Sequence, residues 1–496
     1  MNLSSVVGPH PDESVALGTD VGGVVTYGEL RDQVAGLRGG LAQLGIRRGD
    51  RVAVALPNSP DFVAVYLAVL GIGAVAVPLN PLSPAPELQR ELAAVGARAV
   101  VAGGVADAAI SGLDRAGLPD LEHVVDAAGL DALRGAAEPV PIEDLEPDDL
   151  AVLVFTSGTA GPSRPAMLTH GNLLANVDQI LAGAGSQSLD DRVLGVLPTF
   201  HIYGLNVVIG ASLAAGSRVV LADRFDARSV LDLIGRERVT VVPGVPTMWS
   251  AWAGLDDLAP DAFSSVRLAS SGAAALDPDV RRDLRDRFGL AVIEGYGLTE
   301  ASPAVTSGLG VDAPDGSIGV PLPHVSLRLV DEAAGSAEDV LVGDPGEIWL
   351  RGPNVFPGYW QDAEATAAAI TPDGWLRTGD VAIVDDDGYL FLVDRAKDLV
   401  IVSGFNVFPA EVEEVVMLHP GVAEAAVVGR PDPRTGEAVV AYVVRAEGAG
   451  GAGVTEQEIV DLSVEHLAHY KCPVEVTFVA ELPHTLSGKV LRRALQ

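Results

Sequence analysis

Residues 155–170 read Phe155-Thr156-Ser157-Gly158-Thr159-Ala160-Gly161-Pro162-Ser163-Arg164-Pro165-Ala166-Met167-Leu168-Thr169-His170, and they follow the apolar run Leu150 to Phe155. An apolar run of this length suits a buried strand. Two glycines and four hydroxyl or small residues then fall within six positions, from Thr156 to Gly161. Such a loop can set several backbone N–H groups, with Thr and Ser hydroxyls, against phosphate oxygens. It is not a Walker loop, which needs Gly, four residues and then Gly-Lys-Ser/Thr. A Gly/Ser/Thr turn standing alone reads as a turn; its surroundings decide between turn and phosphate cradle.

Outward from this stretch, from about 25 to 330, apolar runs alternate with longer helical patterns. Arg51–Leu56, Ala74–Val77, Arg98–Ala102, Ala151–Phe155, Arg218–Leu221, Val239–Val242 and Ala291–Ile293 are strand candidates, with amphipathic segments such as Tyr27–Leu44 and Asp277–Phe288 between them. This alternation predicts α/β layers with largely parallel sheets. From about 320 the texture changes to short strands between Asp/Gly turns, Val325–Val330, Gly346–Leu350 and Tyr389–Val393, as in a smaller β-rich subdomain. After Asp394 comes a compact α+β unit with a helix at Pro409–Leu418, strands at Ala423–Gly429 and Ala438–Arg445, and a helix around Glu456–His469. The Gly/Ala tract 447–453 reads as a flexible surface loop. The expected organisation is an N-terminal domain over 1–393 and a small mobile domain over 394–496.

At 496 residues the chain is too long for one core. With 48% hydrophobic and 20% charged residues it is globular, and the scarcity of aromatics predicts cores built from small aliphatics. Sixty-seven acidic residues against 33 basic ones give a net charge of −34. A field of that sign repels nucleic acid and anionic lipid. It also singles out the cations that a polyanionic ligand would need: Arg164, Arg377, Arg395, Lys397, Lys471 and Lys489. The one cysteine, Cys472, excludes an internal disulfide and a thiolate cluster. Met1–Asp20 has no Lys or Arg and no long apolar run, so no secretory signal is expected. Val63–Pro81 and Val193–Ser217 carry no Asp, Glu, Lys or Arg, but Gly and Pro interrupt both. Each is read as a buried helix followed by a strand, with no stable membrane insertion. A cytoplasmic protein is the expectation.

Seven further segments are more specific than turns. They are Pro198-Thr199-Phe200-His201, Ser271-Gly272-Ala273-Ala274-Ala275-Leu276, Gly295-Tyr296-Gly297-Leu298-Thr299-Glu300, Trp375-Leu376-Arg377-Thr378-Gly379-Asp380, Asp394-Arg395-Ala396-Lys397-Asp398, Ser403-Gly404-Phe405-Asn406 and Leu486-Ser487-Gly488-Lys489. In this order, from about residue 10 to the C-terminus, the chain resembles the adenylate-forming family of acyl-CoA synthetases, adenylation domains and luciferases. Within it, the chain is most similar to ligases for fatty or other hydrophobic acids.

The resemblance implies ATP, Mg²⁺ and CoA as reactants. A carboxylate attacks the α-phosphorus of ATP, pyrophosphate leaves, and the acyl adenylate then meets a thiol. Two anions meet in the first step, so positive charge must be supplied in the transition state. Lys489 fits that task, with His201, Thr299 and Glu300 as the other implied catalytic residues. Glu300 and Thr156 are the implied Mg²⁺ ligands. For ATP and AMP the resemblance implies Thr156, Ser157, Gly158, Thr159, Ala160, Gly161 and Arg164 on the phosphates. Gly272, Ala273, Ala274, Gly295, Tyr296 and Gly297 would form the adenine slot, and Asp380 and Arg395 would meet the ribose side. For CoA it implies Ser403, Gly404, Phe405 and Lys471. For the acyl pocket it implies His201, Ile202, Tyr203, Val207, Trp249, Gly295 and Ala301, and Lys397 is the implied hinge. No Asp stands near His201 to pair with a substrate amine, which implies an uncharged acyl tail. The helical pair His466 and His469 has no other ligands near it and reads as surface.

Two departures stand out. Ala275 occupies a position that usually carries Pro. Relatives continue Gly-x-Pro-Lys-Gly after the Thr-rich start, where this chain has Gly161-Pro162-Ser163-Arg164-Pro165. Arg164 keeps a cation but with a planar fork, and Pro165 removes an N–H and restricts Arg164 towards extended backbone. The expected activity is an acid–thiol ligase making acyl-CoA from a hydrophobic carboxylic acid, as a monomer or homodimer. The alternatives are a ligase loading a carrier-protein thiol, and a catalytically weakened binder of nucleotide or acyl adenylate. A serine hydrolase is disfavoured because no Gly-x-Ser-x-Gly occurs; Gly210-Ala211-Ser212-Leu213-Ala214 misses the last glycine.

Overall fold

The valine-rich runs form the middles of two parallel sheets, where strands covered on both faces read as continuous apolar segments. Val52, Ala53 and Val54 have no exposed surface. The computed structural model describes residues 1–495 apart from 137, 157–163, 332–337, 396–399, 403–404, 408, 433–434, 447, 449–452, 468–470 and 485–489. The chain divides into two compact units. The first holds Met1–Gly158, Pro162–Ser326 and Leu350–Leu376; the second holds Leu327–Trp349 and Arg377–Gln496.

The first unit contains two large sheets. One has nine strands in the spatial order Val320–Pro321, Ala304–Ser307, Val292–Gly297, Leu268–Ser271, Val241–Gly244, Arg192–Gly195, Arg218–Leu221, Val15–Thr19, Val24–Thr26. Its six middle strands are parallel and its edges antiparallel. The other has seven, in the order Gly358–Tyr359, Arg164–Thr169, Leu150–Thr156, Val75–Pro78, Arg51–Ala55, Ala99–Ala102, His123–Val125. Here the strands from Leu150–Thr156 onward are parallel, and Arg164–Thr169 and Gly358–Tyr359 are added antiparallel. The core between strands and helices is made of Ala53, Val75, Val77, Leu88, Val100 and their like, the small aliphatics expected from composition. Helix starts are fixed by side chains. Thr26 and Glu29 form a capping box on Tyr27–Gln43, and Thr169 and Asn172 one on His170–Leu181.

The second unit carries a five-stranded sheet in the order Glu338–Asp339, Ser326–Asp331, Gly346–Arg351, Leu376–Val384, Leu390–Arg395, some of whose strands begin or end across the division. It also carries the C-terminal α+β layer, where Val400–Val402, Gly436–Arg445, Val422–Asp432 and Glu475–Val479 pair around a valine core that includes Val412, Val416, Val439 and Ile459. Among the described residues no helix is long and apolar enough to cross a membrane.

Several elements differ from the reading of the sequence. Val63–Pro81 is a helix, Pro60–Gly71, followed by the strand Val75–Pro78, as expected. Val193–Ser217 instead begins in a strand, Arg192–Gly195, and continues through a π-helix, Tyr203–Gly210, into Ala211–Ala215. A run without charges offers no polar stripe to mark where one element stops. Arg164–Thr169, which was not among the strand candidates, is a strand, paired antiparallel with Leu150–Thr156 on one side and with Gly358–Tyr359 on the other.

Candidate functional site

In the first unit, the motif segments that follow Leu150–Thr156, Arg192–Gly195, Leu268–Ser271 and Val292–Gly297 leave the carboxyl ends of parallel strands, the edge where open α/β sheets bind ligands. Strand Leu150–Thr156 runs into 157–163, which lie outside the described residues and include Ser157, Gly158, Thr159, Ala160 and Gly161. The chain returns antiparallel from Arg164, so that Thr156 faces Arg164 across the hairpin and its hydroxyl donates to the Arg164 carbonyl at 3.3 Å. The next residue, Pro165, has no N–H to give, and its carbonyl accepts from Trp360 N at 2.9 Å. Arg164 Nε donates to Asp362 Oδ2 at 3.0 Å. Asp362 is the N-cap of helix Ala363–Ala369 and accepts from Ala365 N at 2.9 Å. That backbone donor and the Arg164 guanidinium hold its carboxyl below the usual range.

Glu300 sits on the short turn Thr299–Ala301, which packs beside the Arg164–Thr169 strand. Its Oε1 accepts from the Tyr359 hydroxyl at 2.7 Å, and its carbonyl accepts from Phe356 N at 2.8 Å. Burial and the Glu300 carboxylate push the Tyr359 phenol far above its usual range, so it stays a donor. Behind the turn lies a buried amide network. Asn354 Nδ2 donates to Ala301 O at 2.8 Å, Ser302 Oγ to Asn354 O at 2.8 Å, and Asn206 Nδ2 to Ser302 O at 2.7 Å. Asn206, Ser302 and Asn354 have no exposed surface, and hydrogen bonds so buried hold the turn in one geometry, with Asn206 Oδ1 left without a partner among the described residues.

On the neighbouring strand ends, the Tyr203 hydroxyl meets Ser270 Oγ at 3.4 Å. A Cβ on Gly272 would lie 3.0 Å from the Tyr203 ring, and Gly272 N donates to Gly244 O at 3.1 Å. Gly244 in turn has the Trp249 indole where a Cβ would be, at 2.9 Å. Trp249 is fully buried and stacks edge-on with Trp252, 5.2 Å between centroids. Ala273 has φ +72°, a left-handed backbone rare for a residue with a Cβ. Ala273 and Ala274 are exposed, while Tyr296 is buried and its N donates to Thr306 Oγ1 at 3.2 Å. Leu276 N donates to Glu294 Oε2 at 2.9 Å, and Glu294 is ion-paired with the buried Arg281, which ties the 272–276 loop to strand Val292–Gly297.

His201 is exposed, yet the protein gathered around it disfavours the imidazolium and holds its pKa below the ordinary value. Its Nδ1 accepts from Tyr203 N at 3.2 Å, so the neutral ring carries its proton on Nε2. It stands at the mouth of the π-helix, an element found mostly at functional sites. Val207 is half-buried on that helix and Ile202 and Ala301 are buried.

In the second unit, Asp380 is buried on Leu376–Val384, opposite Arg395 in register. Gly379 N donates to Glu347 Oε1 at 2.8 Å, and the Arg377 guanidinium lies 5.0 Å over the Trp349 ring. Lys471 Nζ is paired with both oxygens of Glu411, at 2.6 and 2.7 Å. Phe405 lies in the short strand Phe405–Val407, and His466 is exposed near the end of helix Glu456–His466. Lys397, Ser403, Gly404, His469 and Lys489 lie outside the described residues.

Residues 5–360 match the family model of the AMP-binding enzymes, and residues 411–489 that of the AMP-binding enzyme C-terminal domain. The chain belongs to the AMP-binding enzymes. This AMP-binding enzyme is 41% identical over 483 residues to a feruloyl-CoA synthase of an Amycolatopsis species, covering 95% of this chain and 93% of that one. It is 35% identical over 500 residues to 4-coumarate–CoA ligase 5 of Oryza sativa subsp. japonica, covering 98% and 91%. Its fold superposes on ATP-bound MatB from Rhodopseudomonas palustris with a TM-score of 0.92 at 34% identity, over 100% of this chain and 98% of that one. It is an AMP-forming acid–CoA ligase of the adenylate-forming superfamily, using ATP, Mg²⁺ and CoA.

The donor set of this AMP-binding enzyme fits Mg²⁺ in the manner of a phosphate-bridging ion. Among the described residues no cluster of three His, Cys, Asp or Glu side chains exists. Magnesium held chiefly by substrate phosphates needs only one or two protein oxygens, and Glu300 keeps Oε2 beside the oxygen committed to Tyr359. Tyr359, Asp362, Asn206 and Asn354 were not singled out from sequence. Each acts on a motif far away in the chain, so no local pattern points to it.

Proposed function

We propose that this AMP-binding enzyme activates an uncharged, aryl-bearing carboxylic acid to its acyl adenylate, releasing pyrophosphate, and transfers the acyl group to CoA. The observation that carries the reading is the acyl side of the site. Tyr203, Val207 and Ala301 offer an apolar lining beside a neutral His201, and the 198–210 segment has no acid to hold an amine. The likeness to feruloyl-CoA and 4-coumarate–CoA ligases supports the aryl class.

In this reading Lys489 brings positive charge to the meeting of carboxylate and α-phosphate. Arg164 and the 156–161 backbone hold the departing phosphates. Glu300 and Thr156 hold Mg²⁺, which neutralises phosphate charge when bound. Gly272, Ala273, Ala274, Gly295 and Gly297 receive the adenine, and Asp380 and Arg395 the ribose. His201, held with Nε2–H outward from its bond to Tyr203 N, presents a neutral donor and adds no charge against the tail. Lys397 is the hinge of a C-terminal domain over 394–496, which turns Ser403, Gly404, Phe405 and Lys471 to CoA after adenylation. Lys471 must then leave Glu411. The enzyme works in the cytoplasm as a monomer or homodimer without a nucleic-acid partner.

The test is product mass spectrometry with ATP, Mg²⁺ and CoA, using ferulate, 4-coumarate, benzoate, octanoate and malonate in parallel. Cinnamate-type acids should give the highest kcat/KM, at least about tenfold over octanoate and malonate, a gap of about 1.4 kcal/mol, with product lost in Lys489→Ala. A preference for malonate or octanoate refutes the aryl reading. Acyl-AMP that persists in the presence of CoA replaces CoA with a carrier-protein thiol as acceptor.

A further inference from the structure

We propose that Asp362 is a positioning residue for the phosphates of ATP: it fixes Arg164 through Nε and leaves the two terminal amino groups of the guanidinium to grip the β- and γ-phosphates. The proposal rests on the reading of Arg164 as a phosphate ligand.

The departure from Lys-Gly to Arg164-Pro165 changes what the position can do. An ammonium is one point charge, whereas a guanidinium holds Nε and two terminal amino groups in a rigid plane and can serve two anions at once. Only Nε is engaged among the described residues, by Asp362 Oδ2 at 3.0 Å. The backbone beneath is anchored as well. Arg164 is in register with Thr156, its carbonyl accepts the Thr156 hydroxyl, and the Pro165 carbonyl accepts Trp360 N. A lysine on a glycine-flanked loop can search for a phosphate, but an arginine anchored at the start of a strand before proline must already be aimed.

Asp362 is built to do the aiming. Its Oδ1 is committed to Ala365 N at 2.9 Å, and its carbonyl accepts from both Thr366 N at 3.0 Å and Thr366 Oγ1 at 2.8 Å. The carboxylate therefore cannot follow the guanidinium if it moves. The pair itself is a poor source of stability: its side chains are 37% and 34% exposed, and ion pairs so wetted contribute little. Orientation is the function left for it. A guanidinium already held in one rotamer has less freedom to lose when it meets phosphate.

The experiment is equilibrium binding of ATP and of AMP to the full chain, with ATP–pyrophosphate exchange alongside, for Asp362→Asn, Arg164→Gln and the double variant. Asparagine caps a helix as well as aspartate does, so Asp362→Asn keeps the Ala365 bond while removing the negative charge and the Oδ2 acceptor that Arg164 Nε uses; Asp362→Ser, also a cap former, is the second variant. Expected are an ATP Kd raised about tenfold in Asp362→Asn, an unchanged AMP Kd, KM for ATP raised with kcat within about twofold, and an unchanged melting temperature. Asp362→Asn should add nothing once Arg164 is Gln. If Arg164→Gln leaves ATP binding unchanged, Arg164 is not a phosphate ligand and the underlying reading fails. If Arg164→Gln weakens ATP but both Asp362 variants bind it normally, the positioning role alone is overturned. Tighter ATP binding in Asp362→Asn overturns it too, since Asp362 would then compete with phosphate. Equal losses for ATP and AMP mark a structural effect and do the same.

Discussion

Replacing Tyr359 by Phe removes one atom and tests how Glu300, the carboxylate proposed to bind Mg²⁺, is held. The Tyr359 hydroxyl donates to Glu300 Oε1 at 2.7 Å, and the ring stacks edge-on against Phe356 at 5.0 Å between centroids, a contact phenylalanine retains. A hydrogen bond to a charged acceptor contributes about 1.5–3 kcal/mol when buried. Glu300 is only half-buried, so water recovers part of that, leaving about 1–2 kcal/mol as the loss in holding the carboxylate in place. At 1.4 kcal/mol per factor of ten this is roughly 5–30-fold. The effect should fall on the Mg²⁺ concentration giving half-maximal ATP–pyrophosphate exchange, while the melting temperature barely moves. Because burial and Glu300 keep the phenol protonated, parent and variant should show parallel pH profiles from pH 6 to 9. Mg²⁺ dependence within twofold of the parent would show that Tyr359 does not set Glu300, and would sink the reasoning.

Two further perturbations read the frame of the site. Ala273→Gly should raise stability, because Ala273 sits at φ +72° and a residue with a Cβ is strained there by about 1 kcal/mol; a urea midpoint that rises at constant slope confirms it, and a fall shows that the methyl contact outweighs the strain. His170 is buried, accepts Leu3 N on Nδ1 at 3.1 Å, and burial pushes its pKa down from 6.5 to about 4. The unfolded chain therefore takes up the proton first as pH falls, so this contribution is whole above pH 6.5 and shrinks towards pH 4, by about 2 kcal/mol at pH 5. Glu91, pushed up to about 7 by burial, acts in the opposite sense. The measurement is thus the difference between His170→Gln and the parent at pH 7.5 and pH 5, and an equal loss in both proteins refutes the assignment.

The strands and helices that sequence reading found are those whose periodicity is uninterrupted. Val52 to Val54 and Val100 to Ala102 are buried parallel strands with no polar break, and Tyr27–Gln43 opens on its own capping box. Arg164–Thr169 was missed because Arg-Pro imitates a loop, and its strand character comes from pairing on both sides, with Leu150–Thr156 and with Gly358–Tyr359. The π-helix Tyr203–Gly210 was missed because nothing in Gly204-Leu205-Asn206 signals the wider turn. Its Asn206 is recruited by the carbonyls of Leu173 and Ser302, at 3.2 and 2.7 Å. Motif residues such as Glu300 and Gly272 stand out in sequence because they sit in short runs of distinctive residue types. Tyr359 and Asp362 were invisible because they do not: Asp362 meets Arg164 across 198 positions of chain. Short-range patterns point to the candidate site groups, and only the folded chain shows which side chains hold them.

The paired glycines at neighbouring strand ends act as a gauge for the slot beside them. Gly272 gives its missing methyl to Tyr203 and Gly244 gives its own to Trp249, so each aromatic ring rests directly on backbone. Backbone cannot yield as a side chain does, and the widths on either side of strand end 268–271 are set by main chain rather than by rotamer choice. The atoms nearest an alanine methyl at 272 are those of the Tyr203 ring, and at 244 those of the Trp249 indole. In the acyl site proposed above, a methyl added at 272 or 244 therefore moves a ring by single-carbon steps from behind, with His201 and Glu300 left untouched.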